Sequence, residues 1–416
     1  MIRVTYHYSA CVRIDTAEAS VLCDPWFSEG IYDGSWYHYP PVDDALGQLP
    51  ACDFVYVSHI HPDHYDPVFL RSYAAAHPRA RIIVADFNDN HLSRKMRVDG
   101  LAHEVVERLD IGDTSLSLVP NEASVYDIDS ALVVTRGAHS VVNMNDNLFN
   151  QAHIDRILAL LEGAPTIALL GYTGAGPYPQ TYHTEPAVLA EKANEKKQSF
   201  FVRYQQMRDA LAPELVIPFA GKYVLGGNLH ELNQYRGVAD ACEVLAFDST
   251  AVVLADGGEA SVDTESLTPT AVRTKPYGPA AMAEYVAGLA NRPMDYECYF
   301  ADMPESAMPI GRLLPKAFAN AHAHSVVDSD YYVCFPVRGR WFVANANRHT
   351  GTCEFRDEVD SLQPRSEIDI DPRYLFGLLT CVFHWNNAQT GSQFRTHRVP
   401  NEFNRDAKAY FNYFHV

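Results

Sequence analysis

Six consecutive residues, His59-Ile60-His61-Pro62-Asp63-His64, hold three imidazoles and a carboxylate. Both group types bind metal ions, and the spacing His-x-His-x-Asp-His is unusual for a plain polar turn. The preceding stretch, Asp53 to His59 (DFVYVSH), reads as a strand buried on both faces. At its extended end His59 and His61 alternate, so both rings can point to one side. Asp63 and His64 fall on the turn and can face a second point a few ångströms away. That arrangement suits two metal ions fed from one short loop. The loop must be held between the strand and a helix, and DPVFLRSYAAAH supplies one, with Asp66 as N-cap and Pro67 at the first helical position.

The wider chain offers the scaffold. It has 416 residues, 47% hydrophobic and 20% charged, which fits two domains with a large core. Thirty-three Lys and Arg against 52 Asp and Glu give a net charge of −19. Phosphate backbones and anionic membrane surfaces would repel such a chain, so neither nucleic acid nor membrane is an expected partner. No apolar run approaches a membrane span, no leader is evident at the N-terminus, and the eight cysteines are scattered without a C-x-x-C pair. A cytoplasmic protein with reduced thiols is expected.

Short β-rich runs open the chain. A polar and aromatic loop, FSEGIYDGSWYHYPP, separates them from the metal loop. SALVVTRG and HSVVNMND predict a hairpin turning near Gly137. After Asp146 helices and strands alternate: HIDRILALLEG, TIALLGYTG, a long helix from Glu185 to Leu211, then ELVIPFAG. Sheet layers with helices outside are expected. The pattern weakens near residue 265, which sets an expected boundary between units 1–265 and 266–416.

H-x-H-x-D-H between a buried strand and a helix resembles the metallo-β-lactamase superfamily. The resemblance implies an α/β fold, a four-layer αβ/βα sandwich with metals at the sheet edge, here followed by a smaller C-terminal α+β domain. It also assigns Asp24, in LCDPW, to the first acidic motif and Asp146, in VVNMND, to the metal-bridging position. Hydrolases of the superfamily add a histidine on the loop before the bridging aspartate. Here that loop, SLVPNEASVYDIDSALVV, has none. Glu122 is the nearest substitute, with Asp127 and Asp129 as alternatives. Two imidazoles and a carboxylate, His59, His61 and Glu122, form a set that non-haem iron sites use. The second metal would take Asp63 and His64, with Asp146 bridging and His230 as a further ligand; His183 competes for that role. Asp63 and Asp146 are the expected catalytic carboxylates.

Gly174–Tyr182 (GAGPYPQTY), the lysine-rich helix, Pro218–Val224 (PFAGKYV) and the C-terminal HWNNAQTGSQFRTHRVPNEF are similar to the catalytic region of the CMP-N-acetylneuraminate hydroxylase family and its bacterial relatives. That likeness implies a non-haem di-iron oxygenase with dioxygen as co-substrate. Iron is the expected metal and zinc or manganese the alternative. Tyr182, His183, Trp385, Asn386, Arg395 and Arg398 are expected to line a site for a polar or anionic small molecule. Those hydroxylases carry an N-terminal Rieske cluster domain, which needs two Cys and two His. Cys381-x-x-His384 is the one half-match here, so an external donor of Rieske or ferredoxin type is expected. A metal-dependent hydrolase of a phosphoester or lactone is the alternative reading.

Overall fold

The computed structural model describes all residues except Asp44 and 122–128; the side chains of Ala45 and Leu46 are also left aside. Two mixed sheets face each other. The first has seven strands in the order Ala260–Asp263, Arg3–Tyr8, Cys11–Asp15, Ser20–Cys23, Phe54–Tyr56, Arg81–Val84, Glu104–Val105. The second has six: Leu215–Phe219, Ile167–Gly171, His139–Asn143, Ser130–Arg136, Thr114–Pro120, Arg108–Ile111. Alternation along the strands sends Val12, Ile14, Val21 and Tyr56 inward to meet Leu116, Leu132, Val134 and Leu169. The opposite faces are equally apolar and are covered by helices. Pro67–Ala76 and His91–Val98 cover the first sheet; Gln151–Leu158 and the 26-residue Pro186–Leu211 cover the second. This is the expected four-layer αβ/βα sandwich.

Local expectations held where chain chemistry is strong. The hairpin pairs Leu132 with Asn143 and turns at Gly137, whose φ of 56° needs no Cβ to be accommodated. Asp66 caps its helix through Val68 N and Phe69 N, with Pro67 following.

Beyond residue 265, helices Pro279–Gly288 and Ile310–Ala323 precede a five-stranded sheet. Its order is Cys353–Arg356, Arg340–Asn345, Tyr332–Val337, Arg365–Asp369, Arg395–Val399. A separate aromatic core fills it, with Phe335, Phe342, Trp385, Phe411 and Phe414. Among the described residues no helix is long and apolar enough to cross a membrane.

Candidate metal centre

The strand Phe54–Tyr56 runs out of the core and delivers Ser58 and His59 to the rim between the sheets. The loop then turns, with His64 N and Tyr65 N both donating to the His61 carbonyl (3.0 and 2.8 Å). Asp66 anchors the exit. Besides capping its helix, it accepts from Phe27 N and Ser28 N and so ties the segment after Asp24 to the metal loop.

The loop brings His59 and His61 together as expected. His59 Nε2 and His61 Nδ1 lie 2.8 Å apart, so two ring nitrogens converge on one point. Burial above all pushes both imidazoles down, His59 to about 4 and His61 to about 3. Both are therefore neutral near pH 7, with lone pairs available, the form a metal requires. His64 behaves oppositely. Burial alone would lower it, yet the carboxylates of Asp146, Asp63 and Asp24 outweigh burial and hold it well above the usual histidine range. Asp146 responds in kind: burial opposes its charge, but the facing imidazoles keep its carboxyl well below the usual range. His64 Nε2 lies 3.6 Å from Asp63 Oδ2 and 3.6 Å from Asp146 Oδ2. One ligand atom each from His59, His64 and Asp146 falls within 4.8 Å of the others. Carboxylates crowded round one imidazole call for positive charge at that point, and two neutral imidazoles beside it offer paired nitrogen donors. The residues fit a metal pair.

Several side chains hold these groups in place. Asp24 is fully buried and accepts from Ser58 N (2.7 Å), Ser58 Oγ (2.7 Å) and His64 Nδ1 (2.9 Å). That contact places the His64 proton on Nδ1 and turns Nε2 toward Asp63 and Asp146. Ser58 Oγ also lies 2.9 Å from His59 Nδ1, with Asp129 Oδ1 3.3 Å away. Asp129, an alternative ligand by sequence, thus lies against the nitrogen of His59 that faces away from His61. Burial, reinforced by Asp146, pushes the Asp129 carboxyl up to about 8. Asp146 follows Asn145, whose left-handed backbone (φ 48°) is held by Asn143 Oδ1 and by its own Nδ2 bonds to Tyr56 and Ser130.

Tyr32 was not foreseen from sequence. Its hydroxyl donates to Asp63 Oδ1 at 2.5 Å. It reaches there because the backbone at Tyr32 and Asp33 is left-handed (φ 56° and 63°), flanked by Gly30 and Gly34. Non-glycine residues resist that conformation, and C-terminal residues enforce it. Gln393 Nε2 donates to the carbonyls of Tyr32 (2.7 Å) and Asp33 (3.1 Å), Tyr374 OH to Asp33 Oδ2 (2.6 Å), and Ser35 Oγ to the Gly391 carbonyl (2.6 Å). A Cβ on Gly34 would lie 2.8 Å from Asp295 N, so only glycine fits there. The Asp-Gly pair in GIYDGSW was the sequence signal for a special turn.

Other expected site residues divide. Glu122 and Asp127 lie outside the described residues. His230 does not join the cluster: its Nδ1 engages the Gly227 carbonyl at 3.0 Å, within the 3-10 segment Gly227–Tyr235. Asn386 does reach the loop, with Nδ2 3.4 Å from His61 Nε2. Trp385 does not line a binding site. It is 1% exposed, packs against Phe394, Phe411 and Phe414, and donates from Nε1 to the Phe414 carbonyl. A large apolar ring beside an aromatic core is drawn into it. Arg398 is buried against the Tyr182 ring, 4.2 Å from its centre, and donates to Asn401. Tyr182, His183 and Arg395 share a cavity of about 490 Å³ with Trp341 and Glu367, and none of the metal-loop residues lines it.

Residues 3–166 match the family model described as a beta-lactamase superfamily domain. Together with the sandwich, this gives the chain a metallo-β-lactamase fold. Over 234 residues the chain is 30% identical to a Mycobacterium tuberculosis protein that bears the name of a Rieske 2Fe-2S iron–sulfur protein, a match covering 53% of this chain and 44% of that one. It is 24% identical over 239 residues to the cytidine monophosphate-N-acetylneuraminic acid hydroxylase of Danio rerio, covering 53% of this chain and 38% of the relative. The matched part thus spans less than half the length of these relatives. Solved structures of similar shape include CmlA, a diiron β-hydroxylase from Streptomyces venezuelae (18% identity, TM-score 0.38, covering 60% of this chain and 52% of that one). Another is an isothiocyanate hydrolase from Delia radicum gut bacteria (14% identity, TM-score 0.42, covering 63% and 98%).

Proposed function

We propose that the chain is a dinuclear metal enzyme, a non-haem di-iron oxygenase that hydroxylates a C–H or N–H group of a polar small molecule. The observation that carries the metal reading is the meeting of His59 Nε2 and His61 Nδ1 at 2.8 Å beside the His64, Asp63 and Asp146 group. His59 and His61 would hold the first ion; Asp63 and His64 would hold the second, with Asp146 shared. When bound, a reduced iron pair supplies the electrons that activate dioxygen. The chain's own residues do the positioning. Asp24 and Ser58 set the tautomers of His64 and His59, Tyr32 orients Asp63, and Asn386 brings an amide from the C-terminal segment to the edge of His61. The preference for hydroxylation over hydrolysis is supported by the similarity to the CMP-N-acetylneuraminic acid hydroxylases. An external electron donor of Rieske or ferredoxin type belongs to the same reading and is supported by the relative bearing a Rieske name.

Anaerobic purification followed by metal analysis and an optical spectrum before and after air tests this. Close to two irons per chain and a ferric band developing in air are the expected results. Zinc alone, with oxygen-independent turnover of phosphoesters or lactones, would reverse the assignment to a hydrolase.

A further inference from the structure

One buried cation near the metal loop has no counter-charge. Arg236 follows the 3-10 segment Gly227–Tyr235 and is only 6% exposed. Its Cζ lies 4.4 Å from the centre of the Tyr223 ring, while Nε and Nη1 have no hydrogen-bond partner. Among the described residues no carboxylate forms an ion pair with it. The other cations around the same cavity of about 510 Å³ are satisfied: Lys197 by Glu243 (2.7 Å) and Lys222 by Asp256 (2.6 Å). Lys196, just behind, donates to the carbonyls of Arg236 and Tyr178, both at 2.9 Å. It adds positive charge without a carboxylate.

The ring under Arg236 links it to the metal loop. Tyr223 stacks on Trp36 at 3.4 Å, nearly parallel, so the tyrosine lies between guanidinium and indole. Trp36 Nε1 is also buried without a partner. Trp36 in turn touches Tyr32 (4.4 Å), whose hydroxyl holds Asp63. Three donor atoms are therefore orphaned within two rings of a metal-ligand candidate. Leaving buried donors unmade is costly, and a buried unpaired charge more so. A planar guanidinium with two free N–H groups matches the two oxygens of a carboxylate or phosphate, and the cavity is of small-molecule size.

We propose that Arg236 is the receptor for an oxyanion, a carboxylate or phosphate group, of an acidic small molecule held in this cavity beside the metal loop. The molecule's role as substrate rests on the enzyme reading above; the binding does not. The test titrates metal-loaded protein with inorganic phosphate and, separately, acetate, against sodium chloride of equal ionic strength, following melting temperature. Wild type shows a saturable rise with phosphate, acetate or both, which also distinguishes the two anion sources. Arg236→Met weakens that response about tenfold or more, Arg236→Lys weakens it less, and His59→Ala keeps it. In anion-free buffer Arg236→Met melts no lower than wild type, because an uncompensated charge has been removed. Equal responses in wild type and Arg236→Met overturn the proposal, as does no saturable response to either anion in wild type. A response lost in His59→Ala but kept in Arg236→Met places the anion on the metals and overturns it too. Both Arg236 variants melting far below wild type without anion would mark the residue as structural and overturn it. Equally low metal content in wild type and His59→Ala would defeat the metal reading while leaving the anion titration decisive here.

Discussion

At the scale of single residues, the centre depends on groups that never need to touch a metal. Asp24 takes three hydrogen bonds and so fixes the direction of His64 and the start of the loop. Loss of such an orienting carboxylate typically costs 10–100-fold in metal affinity. Asp24→Asn is expected to weaken metal binding by about that factor in competition with a chelator, while the far-ultraviolet dichroism stays native. Trp385 makes the opposite case. It was grouped with binding residues because it neighbours Asn386, yet it fills the C-terminal core. Trp385→Ala should lose about 3–5 kcal/mol of stability in denaturant unfolding through the cavity it leaves. The fraction that stays folded should retain its metal. Neighbouring positions on one short helix thus serve different ends, and spacing alone does not tell core from cavity lining.

At the scale of elements, the left-handed turn at Tyr32–Gly34 ties packing to the site. Asp33 within it is buried and accepts from Tyr374; burial outweighs that bond and pushes its carboxyl up to about 7. An unfolded aspartate titrates near 4. Between about pH 4 and 7 the folded chain keeps this proton and the unfolded chain releases it, so this contribution to stability shrinks as pH rises through that window. Asp33→Asn keeps an acceptor for Tyr374 and cannot ionise. Its melting temperature relative to wild type should therefore climb from pH 5 to pH 8, by an amount equivalent to about 1–2 kcal/mol. A flat difference would refute the assignment. The elements read best from sequence were those specified by neighbours in the chain: the Asp66-Pro67 helix start, the hairpin at Gly137, and the His59–His64 loop, whose ligands lie within six positions. The Tyr32 turn was read as a plain loop. Its conformation is imposed by Gln393, 361 residues away, and no local pattern carries such a constraint. Arg236 was overlooked for the same reason, since only tertiary packing strips it of water and partners. The arginines that were selected, Arg395 and Arg398, lie on the third sheet away from the metal loop.

At the scale of the whole molecule, the metal loop sits where the sandwich, the aromatic segment 24–39 and the C-terminal segment meet. A metal bound only by the folded state stabilises all three together, by about 2.7 kcal/mol when free metal is a hundred times its dissociation constant. Chelation should therefore lower the melting temperature of the entire chain in a single transition, and re-addition of metal should restore it. A transition that splits, with only one part shifted, would contradict the shared anchoring seen between Tyr374, Gln393 and the Tyr32 turn.

The clasp of Gln393 on Tyr32 also has a consequence for biosynthesis. A ribosome releases the histidine loop hundreds of residues before it adds the glutamine that locks the tyrosine over Asp63. For most of translation the nascent chain thus carries its imidazoles without the finished pocket. Productive metallation becomes a late, post-translational event, and a prematurely terminated chain lacking Gln393 would keep the donor loop but lose the lock on its tyrosine.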